Sequence, residues 1–203
     1  MTDAGVRDRS TAGPGLRERK RAAAKAHVAE VAIGLFFERG YGEVSITEIC
    51  EVAGVARRSF FRYFATKEDA LLEPIRAMAD LFEGAIAGAP AELDDGAALD
   101  HALRALGVHV VEQWAWLEHY FRMIEETAAL AAAPELQLAG RERAVAGELL
   151  RRRGETGAAD WRLRLRVGCG IAAFRVWLDD MRAGAAVEPV AHLDRVLAAL
   201  RAG

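Results

Sequence analysis

The chain has 203 residues, of which 52% belong to the AVILMFWYC class and 28% are charged, enough apolar material to bury a core and enough charge for solubility. Its 27 Lys and Arg against 30 Asp and Glu give a formal net charge of −3, which excludes a uniformly basic coat of histone type, so any nucleic-acid contact has to be local. The first 21 residues lack the apolar core of a signal peptide, and no later run reaches the ~18 consecutive apolar residues of a membrane span, which predicts a cytoplasmic protein with no membrane partner.

Residues 1–15 mix Thr, Ser, Gly, Pro14 and charges without apolar periodicity and read as a disordered arm. From Leu16 to about Arg39 the pattern turns helical, with Ala24, Val28, Val31 and Leu35 on one face and Gly40 as the terminator. Ser45-Ile46-Thr47-Glu48 has the S-x-x-E form of a capping box, and Ile46, Ile49, Cys50 and Ala53 then follow at i, i+3, i+4 and i+7. Gly54 breaks that run before a second short helix from Arg57 to Phe64. Thr66 caps a long helix to about Ala87, with Pro74 expected to bend it. A loop at 88–96 leads to a helix carrying Leu99, Leu103, Leu106, Val110 and Trp114. Further helices are predicted at about 118–131, from Pro134 to about Arg153, at 158–182 and from Pro189 to about Arg201. No segment alternates as a strand does, so the chain is predicted to be all-α, three short helices followed by a larger helical body. Cys50 and Cys169 lie far apart in helical segments, read as two small buried thiols, and leave neither a metal site nor a disulfide scaffold.

The informative window is 45–67. Two short helices joined by a tight glycine turn form a helix-turn-helix unit, whose second helix fits the major groove of B-DNA. Between Ala56 and Lys67 the charged residues are Arg57, Arg58, Arg62 and Lys67, four basic and none acidic, inside a chain of net charge −3. Phe60 and Phe64, at i and i+4, are expected to pin this helix to the core, leaving Arg57, Arg58, Phe61 and Arg62 on the opposite surface. A basic run alone is more often just a solvated face. The capping box, the Gly54 turn, the phenylalanine pair and the preceding helix all serve one geometry and favour a DNA site.

At Gly40-Tyr41, Ile46-Thr47-Glu48-Ile49, Ala53-Gly54-Val55, Ser59-Phe60-Phe61-Arg62-Tyr63-Phe64 and Lys67-Glu68-Asp69-Ala70-Leu71-Leu72 the chain resembles the N-terminal signature of the tetracycline-repressor (TetR) family of bacterial transcription regulators, over residues 17–75. The resemblance implies a homodimeric repressor that binds a pseudo-palindromic operator and leaves it when a small, largely apolar effector enters the C-terminal part. It implies a DNA-binding domain at 16–66 and a helical ligand-binding and dimerisation domain at 67–203, with no cofactor. By position, Ser45 and Thr47 fall where family members meet phosphate, Arg57 and Arg58 where they contact base edges, and Ser59, Tyr63 and Lys67 where they hold phosphates. Phe61 replaces the family's common tyrosine, exchanging a hydroxyl contact for an apolar one to a thymine methyl or sugar. The arm and its continuation to residue 21 hold six basic residues against Asp3, Asp8 and Glu18, suited either to neighbouring phosphates or the minor groove, or to a solvated tail.

Residues 96–182 contain all four tryptophans, and their large apolar side chains either fill a core or line a cavity. If the resemblance holds, Trp114, Phe121, Phe174 and Trp177 are expected at an effector pocket, with His109 as a polar contact. His101 and His109 lie two turns apart, too far for a metal pair without a third ligand. The last two helices carry Leu163, Leu165, Val167, Ile171, Phe174 and Leu178, then Val190, Leu193, Val196, Leu197 and Leu200, stripes that suit a two-chain four-helix interface or packing within one chain. H-E-x-x-H, G-x-S-x-G and P-loop motifs are missing, and Gly168-Cys169-Gly170 lacks the strand and third glycine of a dinucleotide turn, so no enzyme is expected. A DNA binder without ligand response, and a small-molecule carrier with a vestigial head, stay open as alternatives.

Overall fold

The computed structural model describes residues 15–130, 133, 136 and 138–202. The arm expected at 1–15 lies outside the described residues except for Gly15, and so does Pro134, the expected start of a helix. Among the described residues every regular element is helical: α1 (Leu16–Arg39), α2 (Ile46–Val52), α3 (Arg57–Tyr63), α4 (Lys67–Leu71), α5 (Glu73–Ala87), α6 (Asp95–Glu112), α7 (Trp114–Glu126), α8 (Leu138–Arg152), α9 (Trp161–Arg182) and α10 (Pro189–Ala202), with a 3-10 turn at Ala128–Leu130. These form two compact units, one ending at Glu73 and the other starting at Pro74. No helix among the described residues is long and apolar enough to cross a membrane.

In the first unit α1 packs on α2 and α4, and α2 on α3. Because α1 serves two neighbours, its buried face is wider than the single stripe read from sequence. Val28, Ala29, Ala32, Ile33, Leu35 and Phe36 are buried, whereas Ala24 and Val31 are only half-buried. The Ser45 capping box forms with both bonds in place: Ser45 Oγ accepts from the Glu48 amide at 3.2 Å, and the Ser45 amide donates to Glu48 Oε2 at 3.3 Å. Gly54 adopts φ +65, where a side chain would be strained, and this lets the chain turn directly from α2 into α3.

One bent helix was expected from 67 to 87, but the chain breaks at Leu72 into α4 and α5. Pro74 has no N–H, and its ring clashes with the carbonyl four residues back, that of Ala70. The Leu72 amide still makes the helical bond to the Glu68 carbonyl at 2.9 Å, but no Pro74 N–H follows for the Ala70 carbonyl, and α4 closes there.

In the second unit α6 is the hub, packed against α7, α8, α9 and α10. At Gly107 the approach to α10 is so close that a Cβ would overlap Leu193 Cδ2. Trp177 of α9 is fully buried beside it, and its indole N–H donates to the Pro189 carbonyl at 2.8 Å, tying the start of α10 to α9.

Several boundaries differ from the sequence reading. Gln113, at φ −108 and ψ 13, ends α6, and its carbonyl accepts the Leu117 amide at 2.9 Å, so Trp114 opens α7 and does not close α6. α7 ends at Glu126, five residues before the expected limit, where Thr127 turns its hydroxyl back to the Met123 carbonyl at 2.7 Å. α9 begins at Trp161 because Asp160 is the cap, accepting the Leu163 amide at 2.8 Å. Cys50 is buried, and burial pushes its thiol up, whereas Cys169 is half-buried and departs from the expectation of two buried thiols.

Two tryptophans of α9 give a contrast in stability. Trp177→Ala should cost about 3–5 kcal/mol in chemical denaturation of the full chain, through its cavity and the stranded Pro189 carbonyl. Trp161, 63% exposed, should tolerate the same change within about 0.5 kcal/mol.

Candidate nucleic-acid interface and ligand cavity

Helix α3 presents two unlike faces. Phe60 and Phe64 are buried, with ring centroids 5.6 Å apart, and hold the helix against the core. On the other side Arg57, Arg58 and Arg62 are exposed, and Phe61 is 47% exposed. The Arg57 guanidinium lies over the Phe61 ring at 5.6 Å, with a loose contact to Thr47 Oγ1 at 3.5 Å. Arg62 lies over its neighbour Tyr63, donating to the phenolic oxygen at 2.9 Å. Arg58 makes no hydrogen bond or ion pair among the described residues, so its guanidinium faces solvent with all its donors. Ser45 and Thr47 are exposed beside this surface at the start of α2, and Ser59 and Tyr63 are half-buried on α3.

Lys67, the first residue of α4, is held more firmly than the sequence suggests. Its ammonium donates to the Tyr41 carbonyl at 2.8 Å and the Val44 carbonyl at 3.1 Å and lies 4.2 Å from the centre of the Tyr41 ring. An ammonium has three donors, so one remains for an outside acceptor. The Tyr41 hydroxyl donates to Glu68 Oε1. Burial, together with the Glu68 carboxylate, pushes the Tyr41 hydroxyl up. Burial opposes ionisation of Glu68 as well, but hydrogen bonds from Tyr41 and Thr66 and the charge of Lys67 hold its carboxyl below the usual range. Sequence reasoning singled out Lys67 but not this Tyr41–Glu68 support, because nothing in spacing joins residues 26 or 27 positions apart.

In the second unit a cavity of about 450 Å³ opens among α5, α6, α7, α8 and α9, with Phe82, Leu103, Val110, Ile171 and Leu178 among its walls. Phe121 and Phe174 also border it. Trp177 sits in the core instead, its ring directed at Gly107. His109 and Trp114, both half-buried, do not line the cavity; the start of α7 at Trp114 takes that ring out of the α6 stripe. Pattern reading passed over most of the lining, including its charged positions Arg76, Glu83 and Arg141 on otherwise apolar helix faces. Among the described residues no group of three His, Cys, Asp or Glu could hold a metal ion.

The comparisons agree with this geometry. The model of the bacterial regulatory proteins of the tetR family matches residues 28–73, the helices that build the basic face. Over 174 residues the chain is 30% identical to a protein of Mycobacterium tuberculosis named as the mycofactocin biosynthesis transcriptional regulator MftR, covering 80% of this chain and 83% of that one. The chain belongs to the TetR family. It is therefore a DNA-binding transcription regulator and not an enzyme. It is also 37% identical over 94 residues to the HTH-type transcriptional regulator TcmR of Streptomyces glaucescens, a match spanning 46% of this chain and only 42% of that relative. Among solved structures, Thermus thermophilus FadR, a TetR-family repressor in complex with lauroyl-CoA, superimposes with a TM-score of 0.53 at 25% identity, covering 87% of this chain and 92% of that one. Bacillus halodurans FadR, a fatty acid degradation regulator, gives 0.56 at 18% identity over 94% and 96% of the two chains, a likeness of fold alone.

The sign of the Glu68 shift fixes a pH dependence. A carboxyl held low when folded contributes stability above its unfolded value of ~4.3, and that contribution is lost as pH falls through the folded value. Tyr41→Phe removes one cause of the shift. Acid titration should show the variant about 1 kcal/mol less stable at neutral pH, with a flatter decline below pH 5, if the half-exposed bond contributes as a screened charge-assisted one.

Proposed function

We propose that this TetR-family chain is a cytoplasmic repressor that binds a pseudo-palindromic operator as a homodimer and releases it when a small, largely apolar effector enters the cavity of the second unit. The observation that carries this reading is the pairing, in one chain, of a solvent-facing arginine surface on α3 with a largely apolar cavity of about 450 Å³, within the ~300–1,000 Å³ usual for small-molecule sites.

In this reading residues 16–66 are the DNA-binding domain and 67–203 the ligand-binding and dimerisation domain. Arg57 and Arg58 read base edges through bidentate guanidinium bonds, while Ser45, Thr47, Ser59, Arg62, Tyr63 and the remaining donor of Lys67 hold phosphates. Phe61 supplies an apolar contact to a thymine methyl or sugar. Helix α5 begins at Glu73, the last residue of the first unit, and also walls the cavity, so a ligand that displaces it can alter the separation of two recognition helices. Half-sites one turn, ~34 Å, apart do not absorb a shift of that kind. The repressor FadR in its complex with lauroyl-CoA supports a ligand-responsive second domain.

The homodimer reading rests on α9 and α10. Of the predicted stripes, Leu163, Val167, Leu193 and Leu197 are buried within the chain, and Ile171, Phe174 and Leu178 face the cavity. Leu165 (59% exposed) and Leu200 remain outside and, together with Val176, which the stripes did not include, suit a second copy.

A gel-shift titration against DNA from the chain's own upstream region, with salt varied, tests the assignments. Arg57→Ala should relax base preference, whereas Lys67→Ala should weaken all sequences alike and reduce the salt slope by about one unit. Equal effects of the two changes on every sequence would remove Arg57 as a base reader. DNA binding that no cavity ligand loosens would leave a regulator without effector control; in the proposed one the coupling is ~1–3 kcal/mol and reciprocal.

A further inference from the structure

The direction of two helices sorts the charges around the cavity. The C-terminal ends of α5 and α8 are neighbours. Glu83 of α5 feels the charges of Glu148 and Arg151 of α8, and Arg152 of α8 donates to the Pro90 carbonyl, three residues beyond α5, at 2.5 Å. Ala87, the last residue of α5, also lines one cleft with Arg152, the last residue of α8, so both helices run towards the same end. Arg76 precedes Glu83 by seven residues, and Arg141 precedes Glu148 by seven, so each arginine lies two turns, ~10 Å, back along its helix. Both guanidinium-bearing positions therefore fall at one end of the cavity, and Glu83 at the other.

Arg141 is accessible to solvent but ringed by protein, as a side chain projecting into a concavity is, and burial lowers its guanidinium from the usual value. Gly140, in the first turn of α8, lines the same end without a side chain to cover the backbone. A guanidinium carries five N–H donors, enough to hold an anion alongside an existing contact. Between the two ends the wall is apolar, with Phe82, Leu103, Phe121 and Phe174 on it.

We propose that the cavity takes an apolar acid: a hydrocarbon body along the Phe82, Leu103, Phe121 and Phe174 wall, with a single carboxylate at the Arg76 and Arg141 end. An anion at the opposite end would meet the Glu83 carboxylate in the wall, while the nearby Arg151 is already paired with Glu148, which favours the arginine end. This rests on the cavity being the effector site and adds the charge of the ligand to it.

The test compares acids with their uncharged twins on the full chain. Octanoate, dodecanoate and 2-naphthoate are titrated calorimetrically beside their methyl esters, with wild type, Arg141→Gln, Arg76→Gln, Arg141→Lys and the off-cavity control Arg143→Gln. At least one acid should bind about tenfold or more tightly than its ester, a difference of about 1.4 kcal/mol. That ratio should fall towards one in Arg141→Gln and Arg76→Gln, persist in part in Arg141→Lys and be unchanged in Arg143→Gln, while ester affinity stays constant throughout. Esters binding as well as acids would overturn the charge assignment and leave the apolar cavity standing. Failure of every acid and ester to bind would overturn both readings.

Discussion

The burial of Phe60 and Phe64 is the constraint on which the DNA-facing surface depends. α3 is only seven residues long, too short to hold a helical conformation by its own hydrogen bonds. Water drives the two rings into the core, and once they are inside, the geometry of the helix forces Arg57, Arg58, Phe61 and Arg62 outward. The Ser45 capping box sets where α2 begins, and the positive φ of Gly54 turns the chain from its end into α3, and so sets the angle at which that face is offered. Local signals and tertiary burial point the same way here, the consistency expected where a sequence specifies one structure.

A second constraint acts around α4. Lys67 has two of its donors committed to backbone carbonyls, and the Tyr41–Glu68 bond braces the same corner. A cation fixed in this way is a poor mobile counter-ion but a well-placed one: its side-chain entropy is lost on folding, not on binding. Pro74 then breaks the chain between α4 and α5, so that the corner ends where the second unit begins.

The second unit solves a different problem, that of enclosing space. α9 is apolar on three sides, each with its own destination: Leu163, Val167 and Trp177 go to the core, Ile171, Phe174 and Leu178 to the cavity, and Leu165 and Val176 to the exterior. One helix thus borders the packed interior, the hollow and the outer face. Gly107 keeps α10 close to α6, and the Trp177 indole fixes the start of α10, so the core side stays filled while the cavity side remains open.

By itself the sequence determined the all-α class, the two-faced α3 and the caps at Ser45 and Thr66, because each is encoded within one or two helical turns. Its resemblance to the TetR signature lies in the same short-range window and is confirmed by the family match. The partition of aromatic residues in the second unit was decided only by tertiary structure. Trp177, Phe174 and Phe121 are alike in hydrophobicity, and periodicity places them on helix faces without saying which neighbour each face meets. The same holds for Arg76 and Arg141, 65 residues apart: no pattern within either helix reveals that both line one cavity, because the space between helices is set by the connections and the close approaches of their neighbours.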